Sequence, residues 1–211
     1  MTKFDSRTLA GALLFVGSVQ WLLVVVVAEG LYPGYSSRVN YISYLGVGST
    51  SLIFNPSLFL LGVGVVAGAY FIQRAFGVRF FPVLLTLAGL GAMAAALFPE
   101  TIQPAHGIGA GVAFVFGGLS AITSYKLQKP PLSYASVLLG ALTLVAVILF
   151  YPYLGLATES TVTYLGLGKG GMERLIAYPT LLWLVGFGSH LIGRSTDTAT
   201  DATKNVLGST T

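Results

Sequence analysis

The sequence predicts an all-α, polytopic membrane protein of six transmembrane helices arranged as three outward-opening hairpins. Three observations predict it. The 211-residue chain is 55% hydrophobic and only 9% charged, with a mean hydropathy of +0.81. A water-soluble domain of this size needs roughly 25% charged residues to keep its surface wet, so lipid must be the solvent for much of this surface. The apolar residues also fall into six stretches, each close to the ~20 residues that cross a hydrocarbon core. Finally, the cationic residues divide unequally between the two sets of connections, as inserted helices require.

The spans are placed at about 9–28, 52–72, 80–98, 106–125, 132–151 and 174–193, within one domain over 1–194. The first follows Lys3 and Arg7, as a secretory signal would. Its apolar region exceeds the ~7–15 residues of such a signal, so it is read as a retained helix. Of the 11 Lys and Arg residues, Lys3, Arg7, Arg74, Arg79, Lys126, Lys129, Arg194 and Lys204 fall on the side of the termini. Only Arg38, Lys169 and Arg174 fall on the other. The expected orientation is therefore multi-pass in the plasma membrane with both termini cytoplasmic. The inner connections, 73–79 and 126–131, are short; the outer ones, 29–51, 99–105 and 152–173, are longer. Residues 195–211 form a Ser/Thr-rich cytoplasmic tail, expected to fray.

Composition excludes several chemistries. The chain has no cysteine, hence no disulfide, thiolate nucleophile or iron–sulfur cluster. Its basic residues sit singly or in pairs between apolar runs, which argues against nucleic acid as a partner despite a pI near 9.4. The two histidines, His106 and His190, lie near opposite ends of their spans. At 1.5 Å per residue, His190 is roughly 24 Å below Arg174, so the pair cannot hold one haem. No nucleophile elbow, phosphate-binding loop or His-Glu-x-x-His pattern occurs. No cofactor and no metal site is expected. Gln20 is the notable polar residue in mid-span, and a helix–helix hydrogen bond accounts for it.

The odd-numbered spans each end in an aromatic–proline pair: Tyr32-Pro33, Phe98-Pro99 and Tyr151-Pro152. The first and third outer loops also echo each other, 41–48 against 162–168, and each is followed by a proline, Pro56 or Pro179. Internal duplication and convergent punctuation both account for this. Loops of this length more often carry function than bare connections do, and both are expected to hold short helices or strand-like caps. Glycines four apart, Gly64/Gly68 and Gly107/Gly111, allow close helix approach, either within the bundle or in a homo-oligomer or complex with other subunits.

The ionisable residues point to the outer side. All four glutamates, Glu29, Glu100, Glu159 and Glu173, lie there, with Arg38, Asn40, Asn55, His106 and Arg174. A carboxylate near hydrocarbon must be paired or hydrated, so Glu29, Glu173 and Arg174 should face one another or water. Glu173 is placed at a helix N-terminus, where the dipole favours its charge. The candidate outer polar site is Glu29, Arg38, Asn40, Asn55, Glu100, His106, Glu173 and Arg174. Individually each reads most simply as a cap, an anchor or half of an ion pair.

Asn40-Tyr41-Ile42-Ser43-Tyr44-Leu45-Gly46, Phe98-Pro99 with His106, and Gly171-Met172-Glu173-Arg174 with Tyr178-Pro179 and Trp183 together resemble the domain of unknown function 998 family. Its members are prokaryotic, often archaeal, six-helix membrane proteins, and the likeness covers about residues 9–193. Where that family tends to carry an acidic residue after Ile-Ser, this chain has Tyr44, so no carboxylate role carries over there. The resemblance implies the six-helix topology and an emphasis on the outer side; it implies no reaction. Two functions follow from the residues. The first is an accessory bundle binding membrane lipids or a partner at the outer leaflet. The alternative is an intramembrane enzyme on a lipid or lipid-linked substrate, with His106 and a glutamate (Glu100 or Glu173) as acid and base and Arg38 and Arg174 holding an anionic group. Convergence of the polar residues on one cavity favours ligand binding or catalysis; separate pairing around the rim opposes both.

Overall fold

The computed structural model describes residues 5–154 and 162–208, with 194–208 as backbone only. Six helices follow one another: α1 (Ser6–Leu31), α2 (Ser51–Phe76), α3 (Phe80–Leu97), α4 (Ala105–Thr123), α5 (Leu132–Leu149) and α6 (Lys169–Gly208). Each has a segment long and apolar enough to cross a membrane, that of α6 being Lys169–Gly193. The chain is thus a multi-pass, all-α membrane protein. Each helix packs on the next, and α6 packs back along α1, so the six close into a ring. An even number of spans puts both termini at one end; the opposite end is called distal below.

Local chemistry fixes the helix ends. Asp5 caps α1 by accepting the Thr8 N–H at 2.7 Å. Gly77 (φ +65°) closes α2 in the left-handed region, its N–H donating to Gln73 O. Tyr32 and Phe98 end α1 and α3 immediately before their prolines. The fifth helix stops at Leu149, and Tyr151–Tyr153 then forms a single 3-10 turn around Pro152. The sixth begins five residues earlier than the expected 174, because a tight hairpin delivers the chain straight into it. At the other end its backbone stays helical to Gly208, where a frayed tail was expected. No proline or glycine interrupts 194–207.

Glycine explains how closely the ring is drawn. A Cβ on Gly11 would lie 2.5 Å from the Gly188 carbonyl oxygen, and one on Gly188 2.7 Å from that of Gly11, so α1 and α6 touch backbone to backbone. Gly62 and Gly89 do the same for α2 and α3, Gly91 and Gly109 for α3 and α4, and Gly118 and Gly140 for α4 and α5. Gly64 and Gly68 face α1, whereas Gly111 has nothing within 4 Å of its Cβ position. The remaining seams carry hydrogen bonds. Gln20 donates to Ser57 O at 2.9 Å and accepts from the Ser57 hydroxyl, tying α1 to α2. Between α5 and α6, the Thr143 hydroxyl lies 3.1 Å from Ile176 O and 2.9 Å from the Thr180 hydroxyl. That contact adjoins the turn where Pro179 supplies no N–H, and side-chain hydroxyls commonly re-satisfy such turns.

The echoing distal loops fold differently. Residues 43–50 form two 3-10 turns, Ser43–Gly46 and Gly48–Thr50, held by Thr50 donating to Leu45 O and Asn55 donating to Gly46 O. The other loop makes a hairpin, β1 (Thr163–Tyr164) and β2 (Leu167–Gly168), turning on Leu165 and Gly166 at φ +54° and +78°. Two positive φ values in succession suit a two-residue hairpin and no helix. Buried Tyr153 braces it, its hydroxyl accepting from Tyr164 N–H and donating to Leu167 O.

Candidate functional site

Between the helices of the ring lies a partly open apolar cavity of about 100 Å³. Small residues make it. Ala88, Ala92 and Ala95 recur on one face of α3, and Ala110, Ala113 and Gly117 on one face of α4. Opposite them stand Trp21 of α1, Leu61 and Val65 of α2, and Ala177, Leu181 and Leu184 of α6. At these six positions the α3 and α4 walls stop at or before Cβ, which leaves space between the larger Leu85 and Phe114.

At the end nearer the termini the floor is Trp183, stacked on Phe187 at 5.6 Å with Phe81 edge-on to both. Its indole N–H donates to Ser124 Oγ at 2.9 Å. Gln128 then donates to both Ser124 Oγ and Ser136 Oγ. This buried network is closed: each side chain in it finds a partner.

The roof is polar. Glu173 is 8% exposed and its carboxylate accepts the Ile42 N–H from the 41–46 strap, with the Ser43 N–H beside it. With α6 starting at Lys169, no acidic residue occupies the first turn. The expected interaction of Glu173 with the helix N-terminus is therefore replaced by a bond to a different segment. His106, 7% exposed, places Nδ1 2.8 Å from Phe98 O and 3.2 Å from Ala95 O. Carbonyl oxygens only accept, so Nδ1 carries the hydrogen, and in the neutral ring the lone pair lies on Nε2. No protein group among the described residues meets Nε2, and the ring lines the cavity.

Glu100, in the connection between α3 and α4, is within electrostatic range of His106, Lys169 and Glu173. Burial pushes its carboxyl above the usual range, opposed by His106 and Lys169 nearby. Lys169 is fully buried, its ammonium 5.1 Å from the centre of the Tyr41 ring. Burial, with Glu173 and Glu100 nearby, pushes the Tyr41 phenol up to about 12.

A second cluster lies on the rim between α1 and α6. Arg174 Nη2 donates to Glu29 and, at 2.7 Å, to the Tyr35 hydroxyl. Its Nη1 donates to Gly170 O at 2.8 Å, Ser37 O at 3.0 Å and Asn40 O at 3.5 Å. Gly170 N–H donates to Arg38 O in the same place, and a Cβ on Gly168 or Gly170 would collide with the Arg38 or Asn40 carbonyl. Burial raises the Tyr35 phenol even against the Arg174 bond.

Of the eight expected residues, the structure brings His106 and Glu173 to the cavity and Glu100 beside them. Glu29 and Arg174 pair separately on the rim. Asn40 Oδ1 is spent on the Ser36 N–H, Asn55 on Gly46 O, and the Arg38 side chain is exposed. No arrangement with Arg38 and Arg174 together on one anion is formed. Glu159 lies outside the described residues. Among these residues no cluster of metal-binding side chains occurs. Sequence reasoning passed over Trp21, Tyr41, Lys169 and the alanine walls. The last left a readable signal: alanines at i, i+4 and i+7 on α3, and small residues at i, i+3 and i+7 on α4.

A family model described as Protein of unknown function (DUF998) matches residues 15–190. No curated protein and no solved structure matches the chain.

Proposed function

We propose that this chain, which belongs to the DUF998 family, binds a single-chain amphiphile, with the apolar tail inside the helix ring and the polar head under the 41–46 strap. The observation that carries this reading is an apolar cavity ending at one polar wall, His106 and Glu173. An apolar void of this size takes up a small hydrocarbon group readily, enough for a segment of one slender chain next to its head. The charge asymmetry supports a head site on the outer leaflet of the plasma membrane, with both termini cytoplasmic. Because the chain has no cysteine, thiol labelling of Arg38→Cys from outside intact cells tests that orientation; protection of Arg38→Cys with labelling of Lys126→Cys reverses it.

The direct test is mass spectrometry of molecules carried through purification. The wild type should retain a single-chain amphiphile near one per protein, and Ala92→Phe, which fills the α3 wall, should retain several-fold less. Equal amounts on both proteins would sink the reading. The catalytic alternative draws on one observation, the fixed Nδ1–H that aims the basicity of His106 at Nε2. Under it, the amphiphile would be turned over by the wild type and recovered intact only from His106→Gln.

A further inference from the structure

We infer that the head group selected here is an uncharged or cationic hydrogen-bond donor, an alcohol or an amine, and that anionic heads are rejected. This rests on the reading of the cavity as a chain-binding site.

The argument is an inventory of donors and acceptors at the distal end. The Nδ1–H of His106 is committed to Phe98 O, so the nitrogen left over is an acceptor. Glu173 is nine-tenths buried, its carboxyl already meets the Ile42 N–H, and in the ionised form at the pH 8 of the test below it accepts only. The Thr180 hydroxyl is engaged with Thr143 across the α5–α6 seam. One neutral donor, the Trp21 indole N–H, is buried in the cavity wall without a partner among the described residues, but the charged donors that anion recognition calls for lie elsewhere. Arg174 is spent on Glu29, Tyr35 and three carbonyls, and Arg38 is exposed on the strap. Lys169 stands over Tyr41 and does not line the cavity. Glu100 adds a second carboxyl within range of Glu173.

A carboxylate or phosphate head would therefore set its charge against the carboxyls of buried Glu173 and half-buried Glu100, with no cationic side chain lining the cavity to offset it. A hydroxyl or ammonium would instead give His106 Nε2 the donor it lacks and Glu173 a further one. The apolar walls contribute affinity to any chain, so the head alone sets the preference.

The two tryptophans of the chain, Trp21 and Trp183, are both buried and both line the cavity, which supplies the readout. Four probes with one identical chain-brominated C16 tail, ending in alcohol, amine, carboxylate or phosphate, are titrated into the detergent-solubilised full chain at pH 8. The alcohol and amine should quench tryptophan emission at concentrations at least tenfold below the carboxylate and phosphate. Glu173→Gln should narrow that gap, and His106→Phe should weaken the alcohol about tenfold while leaving the carboxylate unchanged. Should either variant fail to fold, the four-probe ranking on the wild type still decides the matter. Carboxylate or phosphate quenching at or below the alcohol concentration overturns the head-group inference and leaves the cavity reading standing. If no probe quenches the wild type more than Ala92→Phe or Ala113→Leu, the cavity reading itself falls.

Discussion

Glu173 and Arg174 are adjacent in the chain, yet they belong to two polar regions of opposite character. Arg174 turns toward α1 and the strap, where Glu29, Tyr35 and three backbone carbonyls occupy its guanidinium. Glu173 turns inward, meets the strap N–H groups of Ile42 and Ser43, and shares the cavity roof with a ring nitrogen that no protein group among the described residues meets. Both are charged groups at the same depth, but only one is saturated. A charge with every partner supplied by the fold is a fastening. Acceptors facing an apolar cavity are an address for something else. The floor of the cavity supports the distinction, since Ser124, Gln128, Ser136 and Trp183 satisfy one another and look like the rim rather than the roof.

Three variants break or sharpen this contrast. The largest effect is expected on the rim. Arg174→Met strips Glu29 of its partner in a site where the two side chains are 13% and 27% exposed. Removing one member of a largely buried pair costs about 3 kcal/mol or more, read as a fall in thermal midpoint and early proteolysis of the strap. If the midpoint stays within a degree of the wild type, the rim is not a fastening. Next comes the floor: Ser124→Ala leaves the Trp183 N–H buried without an acceptor, a loss of about 1–3 kcal/mol. Its emission should shift while the alcohol-to-carboxylate ranking stays as in the wild type, since the head site is at the other end. A change in ranking would mean that roof and floor are not separate. The smallest effect belongs to Arg38→Cys, within about 0.5 kcal/mol in stability as for most exposed positions, and neutral in probe quenching. A tenfold loss of binding there would return Arg38 to the site.

Much of the fold was legible. Six spans, the aromatic–proline stops and the Gln20 contact follow from length, hydropathy and the cost of an unpaired polar group in lipid. The site was legible only in outline. His106, Glu173 and Glu100 were on the page as residues, but nothing in the spacing separated them from Glu29, Arg38 and Arg174. Glu173 and Arg174 differ in direction by one helical step of about 100°, and that step is meaningful only once the neighbours of α6 are known. The echo between 41–48 and 162–168 likewise dissolved, because Leu165 and Gly166 take a hairpin turn while Leu45 and Gly46 stay in a 3-10 turn.

By itself the sequence determined the number of helices and the end of the bundle at which the polar residues gather. Lipid and water price apolar and charged groups so differently that composition alone decides those matters. Only the tertiary structure decided which apolar face points inward. In a membrane the lipid-facing and protein-facing sides are equally apolar, so periodicity does not tell them apart. Leu14 is fully buried and Leu138 is 69% exposed, yet both are leucines in the middle of a span. The cavity exists because the ring turned two rows of small residues to the same interior, and it became a site because one end of that interior carries His106 and Glu173.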